Sequence, residues 1–215
     1  MADMVMIRAR RKSLSTFLTV AAMVLVLLTV TLPWYHVSRD PVYSQTTACE
    51  MYIDNLYKVG SEWREYSDSG DATVIMQTAY GLIILWACVS LVYIGLLLAG
   101  WEGIVAGATA MFLAILAPLY LMIRLPDAAQ STVWTNSTLM NWDFQIDGFT
   151  GTLVGDDGTV YSWGPSIAWF VLLAGSGLQI ASVAVNLTSA IDAYRERVVR
   201  EATPPDLDQG LTDPK

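Results

Sequence analysis

The sequence predicts an all-α membrane protein: a four-transmembrane-helix bundle with a small α/β outer domain formed by its two long loops. Three observations carry that prediction. Apolar residues make up 54% of the chain and charged residues 15%, a balance too skewed for a soluble domain. The apolar residues gather in four stretches, 14–32, 74–99, 104–123 and 167–187, none of which holds Asp, Glu, Lys or Arg. Each is long enough to cross, or nearly cross, a bilayer. A basic cluster, Arg8-Ala9-Arg10-Arg11-Lys12, precedes the first stretch and Trp34-Tyr35 follows it. Such a pattern suits a cytoplasmic flank and the opposite membrane interface.

Taken in order, 1–13 is a basic cytoplasmic lead and 14–33 the first span. The nineteen uncharged residues from Leu14 to Leu32 cover about 28 Å at helical rise, close to the hydrocarbon thickness. A cleaved signal peptide shares the basic start, but this run is longer, and Pro33, Trp34 and Tyr35 are not the small residues of a cleavage site. The segment therefore reads as a retained helix, and it sets the side of every later loop.

The first outer loop is 34–73. Residues 34–38 alternate bulky and polar side chains, a strand signal. Over 48–63, Met51, Tyr52, Leu56, Val59 and Trp63 recur at three- or four-residue steps, which predicts an amphipathic helix over the bundle. Residues 67–71 form a turn into the second span, 74–99.

Only 100–103 joins it to the third span, 104–123, forcing an antiparallel hairpin. Gly103, Gly107, Ala110, Ala114 and Pro118 form a small-residue stripe that permits close helix packing, and Gly177 and Ala181 are read in the same role on the fourth span. The second outer loop, 124–165, contains a predicted β-hairpin: 149–154, an Asp-Gly turn at 155–158, and 159–163. Gly158 is expected to need positive φ. Ser166 suits the cap of the fourth span, 166–190. The region 191–215 reads as a cytoplasmic helical extension followed by a disordered acidic tail.

The net charge of −8 lies outside the bilayer in this topology. Seven acids face three bases in the first outer loop, and five face one in the second. Solubility of the loops explains this more simply than cation attraction, and nucleic acid is not an expected partner. Cys49 is an odd external thiol. Cys88 lies about 20 Å into the second span at helical rise, too deep to reach it, because disulfide Cα atoms approach within about 7 Å.

Catalysis finds little material. His36 is the only histidine, no Cys-x-x-Cys is present, and no span holds an ionisable Asp, Glu, Lys or Arg. Gln77, Gln179 and Asn186 suit interhelical hydrogen bonds better than substrate contacts. Asp143, Asp147, Asp156 and Asp157 match no calcium-loop spacing. No catalytic residue, metal or cofactor is expected, and the protein reads as no enzyme. Asn136-Ser137-Thr138 is an outer sequon, a possible glycosylation site. Trp34, Tyr35, Trp63 and Trp163 are read as membrane-interface or outer-domain aromatics.

Four spans, cytoplasmic termini, Leu32-Pro33-Trp34-Tyr35 beyond the first span and two structured outer loops resemble the claudin and peripheral-myelin-protein tetraspans. That resemblance implies a left-handed bundle carrying an extracellular β-sheet, in proteins that make cell contacts or accompany channels. The Gly-Leu-Trp box and paired loop cysteines of claudins are absent, so only the architecture and the Trp34 position carry over.

The expected function is non-enzymatic: a structural, adhesion or accessory subunit of the plasma membrane, working through its outer loops and helix faces. Its partners would be membrane lipid and other membrane subunits or further copies of itself. The alternative is a transporter or channel-forming subunit with an acidic outer vestibule.

Overall fold

Long apolar runs with few helix breakers have one way to satisfy every backbone group internally, and that is the α-helix. A computed structural model describes residues 2–42, 45–53, 56–66, 71–135 and 144–202. Four helices dominate it: α1 (Ala2–Leu28, extended by a 3-10 turn at Thr29–Thr31), α2 (Asp71–Leu98), α3 (Ile104–Thr135) and α4 (Ile167–Ala202). All four are long and apolar enough to cross a membrane. They close a ring in which α1 packs on α4 and α2, and α3 packs on α2 and α4.

At one end of the bundle sits a six-stranded antiparallel sheet of order β4-β3-β2-β1-β6-β5. Its strands are β1 (Tyr35–Asp40), β2 (Thr47–Met51), β3 (Leu56–Val59), β4 (Glu62–Glu65), β5 (Gly151–Val154) and β6 (Val160–Pro165). The strand expected after the first apolar run is β1, and the hairpin expected in the second loop is β5–β6. Gly158 there adopts φ +80°.

Residues 48–63, expected as an amphipathic helix, instead form β2, β3 and β4. Cys49 and Met51, then Tyr57 and Val59, are buried in strict alternation. Gly60-Ser61 is a two-residue hairpin loop with Gly60 at φ +58°, a backbone state that stops a helix and turns a strand. The three- and four-residue recurrence arose from two short alternating runs set apart by turns.

The third helix also departs from expectation, running on past residue 123 to Thr135. Leu125, Ala128, Ala129 and Val133 on this extension are fully buried. The described parts of the two loops hold strands and no helix of their own, so the sheet-end layer is an antiparallel sheet against which the end of α3 packs. The Asn136 sequon and the acidic tail from residue 203 lie outside the described residues.

Helix contacts follow the small residues only in part. Ala110 and Ala114 are fully buried. A Cβ on Gly107 would stand 2.9 Å from the Tyr93 ring, so α2 and α3 touch at that point. Gly103, at φ +55°, lies in the connection against Leu96 and Tyr93. On α4 the expectation needs correction: Gly177 and Ala181 face outward, and a Cβ on Gly177 would meet nothing. The close approach is two residues earlier, where a Cβ on Gly175 would lie 2.9 Å from Val26 of α1.

Pro118 has no N–H, so the carbonyl of Ala114 loses its helical donor. The Ser176 hydroxyl of α4 supplies one at 2.7 Å.

These contacts predict a contrast between two glycines. Gly107→Leu should lower the melting temperature in detergent by the equivalent of roughly 1–3 kcal/mol, the usual cost of overpacking. Gly177→Leu should melt like the parent. Equal melting of both variants would contradict the packing described.

Candidate functional site

The sheet has two unlike faces because side chains alternate along each strand. Tyr35, Val37, Cys49, Met51, Tyr57, Val59, Tyr161 and Trp163 line the buried face. Phe144 stacks on Tyr161 and Trp163 with ring centroids 4.5 and 5.7 Å away. The Tyr35 hydroxyl donates to the Phe149 carbonyl at 2.8 Å. Gln130 on the α3 extension bridges to the same segment, accepting from the Ile146 N–H at 2.5 Å. Gly151 is obligatory on this face, since a Cβ there would stand 2.3 Å from the Trp163 ring.

Of the four aromatics singled out in the sequence, Trp34, Tyr35 and Trp163 are therefore core residues of the sheet end, and only Trp63 is exposed, at 54%. Cys49 is buried in the sheet as well. Removal from water, reinforced by the neighbouring charge of Glu50, pushes its thiol up to about 12. A thiol held protonated at neutral pH is a poor nucleophile.

The opposite face carries a row across four strands, His36, Glu50, Lys58 and Trp63, each paired with the next in register. The Lys58 ammonium lies 5.8 Å from the Trp63 ring centroid, and Tyr52 packs 4.8 Å from the same ring. The Tyr52 hydroxyl donates to Glu50 at 3.1 Å. The result is an ordered aromatic and charged platform that ends on β4, the terminal strand of the described sheet. Cation–π contact of this kind is worth about 0.5–1 kcal/mol when exposed, enough to order the indole without hiding it.

A second feature lies inside the bundle. The buried face of α4 presents Ser176, Gln179, Ser182, Asn186 and Ser189, all under one-tenth exposed. Ser182 hydrogen-bonds Ser15 at 2.8 Å and Thr19 at 2.7 Å, and Ser15 reaches the Tyr93 hydroxyl at 3.1 Å. Ser90 contacts Gln179 at 3.4 Å, and the Asn186 amide donates to the Glu102 carbonyl. Among the described residues, the side-chain nitrogen of Gln179, the Asn186 carbonyl oxygen and the Ser189 hydroxyl have no partners. Sequence reading singled out the two amides and passed over the serines. Their spacing of three, three, four and three residues from Ser176 to Ser189 was the available signal, lost among apolar neighbours.

Beyond Ser189, at the end away from the sheet, a cavity of about 330 Å³ opens between α1, the α2–α3 connection and α4. Arg8 pairs with Glu196 at its rim, and Arg11 pairs with Asp192 beside it at 2.6 Å.

Among the described residues, no three His, Cys, Asp or Glu side chains are placed to hold a metal ion. No family model matches the chain, and comparison with curated proteins finds no match either.

Two measurements check the sheet. Cys49 should resist a membrane-impermeant maleimide in the folded protein and react once the sheet is denatured; rapid labelling of the native thiol would contradict its burial. Asp157 accepts from the Thr159 N–H at 2.9 Å and the Thr159 hydroxyl at 2.8 Å, which holds its carboxyl below the usual value. Its support of the hairpin is complete above the ordinary aspartate range and fades as pH falls through the depressed value. Protease resistance of the hairpin should therefore decline only in strong acid, and Asp157→Ala should remove that step.

Proposed function

We infer that this is a non-enzymatic integral membrane protein of the plasma membrane, an accessory or assembly subunit that engages partners through the outer face of its sheet. Both termini lie in the cytoplasm, and the sheet stands outside. What supports insertion is the polarity of the bundle: Ser15, Thr19, Ser90, Ser176, Gln179, Ser182 and Asn186 are buried, Gln77 and a few threonines are exposed, and Phe17, Leu85, Val105, Phe112, Ile123 and Phe170 form an apolar outer surface. Lipid is the solvent that suits such a surface. The basic cluster on α1 supports the orientation, and the tetraspan plan with a sheet over four helices supports a claudin-like architecture.

The observation that carries the functional reading is Trp63. An indole held by Lys58 and Tyr52, yet half exposed on the terminal strand of the sheet, has the chemistry of an interface anchor, because Trp dominates binding hot spots. The acidic residues around it suit a partner with a basic or polar rim.

The polar column of α4 favours the transporter or channel alternative. Against it, the sheet-end half of the bundle is filled by Trp34, Trp86, Ile83, Leu121 and Leu172, all under 2% exposed. A conduit would need that plug to move.

Orientation is read from an impermeant thiol label in a Cys88→Ser background: Gly155→Cys should label on intact cells and Gly100→Cys only after permeabilisation. For function, the protein purified in mild detergent should carry a stoichiometric partner that Trp63→Ser loses while melting normally. Ion flux from the pure protein in liposomes, with no partner retained, would decide for the channel.

A further inference from the structure

We propose that the cavity at the bundle end opposite the sheet binds a small zwitterion, with its primary ammonium on Glu102 and its oxyanion on Lys12 and Ser189. The argument begins with charge. Of the four charged residues lining the cavity, Arg8 and Glu196 neutralise each other. Lys12 and Glu102 do not: neither makes an ion pair among the described residues, although both line the same space. The Lys12 ammonium donates to the Gly100 carbonyl at 2.5 Å, which leaves two of its three hydrogens to place.

Opposite charges facing one cavity without meeting each other are complementary to a ligand that carries both signs. A simple anion would meet Glu102 unshielded, and a simple cation would meet Lys12.

Burial supplies an independent observation. Ser189 lines the cavity, is 4% exposed, and its hydroxyl has no partner among the described residues. A buried hydroxyl without a hydrogen bond is destabilising, a cost that a bound oxyanion removes. Behind it, Asn186 fixes the wall by donating to the Glu102 carbonyl. The ion pairs Arg8–Glu196 and Arg11–Asp192 hold α1 against α4, so the walls stand ready before a ligand arrives. At about 330 Å³ the space has room for a short molecule with an ammonium at one end and an oxyanion at the other.

Phosphoethanolamine has this chemistry, and it occurs both free and as a lipid headgroup. The cavity lies where the helices leave their apolar stretches, the depth at which headgroups reside.

The test is thermal melting of the full chain in a maltoside detergent. It is titrated with free phosphoethanolamine, with free phosphocholine, and with micelles containing either phosphatidylethanolamine or phosphatidylglycerol. A saturable rise with free phosphoethanolamine assigns a soluble ligand; a rise confined to the phosphatidylethanolamine micelles assigns the headgroup. Either supports the site, provided Glu102→Gln and Lys12→Gln each weaken the half-saturation by roughly tenfold, the loss expected for one charged hydrogen bond. Ser189→Ala removes a single oxygen, and it keeps the test open should a charge variant misfold. No rise with either ethanolamine form, an equal rise with phosphocholine or phosphatidylglycerol, or variants that keep the parental response would overturn the proposal.

Discussion

Two backbone hydrogen bonds hold the end of the first helical segment to the start of the last helix at the foot of the sheet, and the remaining architecture is arranged around them. The Ser166 N–H donates to the Trp34 carbonyl at 2.9 Å, and the Ala168 N–H donates to the Pro33 carbonyl at 3.0 Å. They satisfy groups that the start of α4 would otherwise leave open. They also place β1 beside β6 in the same step that places α1 beside α4. The Trp34 N–H donates to the Met51 carbonyl at 2.7 Å and brings β2 to the other side of β1. Parts of the chain far apart in sequence thus become the centre of both layers, and β3, β4 and β5 are added at the margins. Trp34, fully buried at this junction, fills the space between sheet and bundle.

The same demand for paired backbone groups explains the bundle interior. A proline inside a helix leaves a carbonyl open, and in an apolar surround that carbonyl needs a donor. Ser176 provides it for Ala114, so two helices are joined at the point where one of them is weakened. Ser15, Thr19, Tyr93 and Ser182 extend the pattern by linking three helices through hydroxyls. Each such bond in a membrane contributes on the order of 0.6 kcal/mol. Their collective effect is directional, since hydroxyls meet in one rotation of the helices and apolar contacts tolerate many.

Much of the fold was legible because its signals were long or chemically specific. Uncharged runs of about twenty residues marked the helices, the Asp157-Gly158 turn marked β5–β6, and the alternation after Pro33 marked β1. The failures share a physical cause. In 48–63 the periods of a helix and of three short strands coincide over a few residues, and Gly60 was the residue that separated them. The extension of α3 carries Arg124, Pro126 and Asp127, which look like the exit from a helix; the buried alanines that follow are held by tertiary packing against the sheet. On α4, Ala174-Gly175-Ser176-Gly177 is small throughout, so sequence alone left open which of these residues faces α1. The exposed platform around Trp63 was hardly visible beforehand, because Glu50, Lys58 and Trp63 meet only through strand register.

The absence of a linker between Trp34 and β1, and between Pro165 and α4, has a mechanical meaning. A hinge needs residues free to change φ and ψ, and at these two junctions the backbone is hydrogen-bonded. The sheet, α1 and α4 are therefore joined without a free segment, from the strands to the ion pairs Arg8–Glu196 and Arg11–Asp192 at the far end. A sideways load on the sheet would not be absorbed at its base. It would travel the length of the bundle and emerge as a displacement of α1 and α4 against α2 and α3, around the wall shared by Lys12, Glu102 and Ser189.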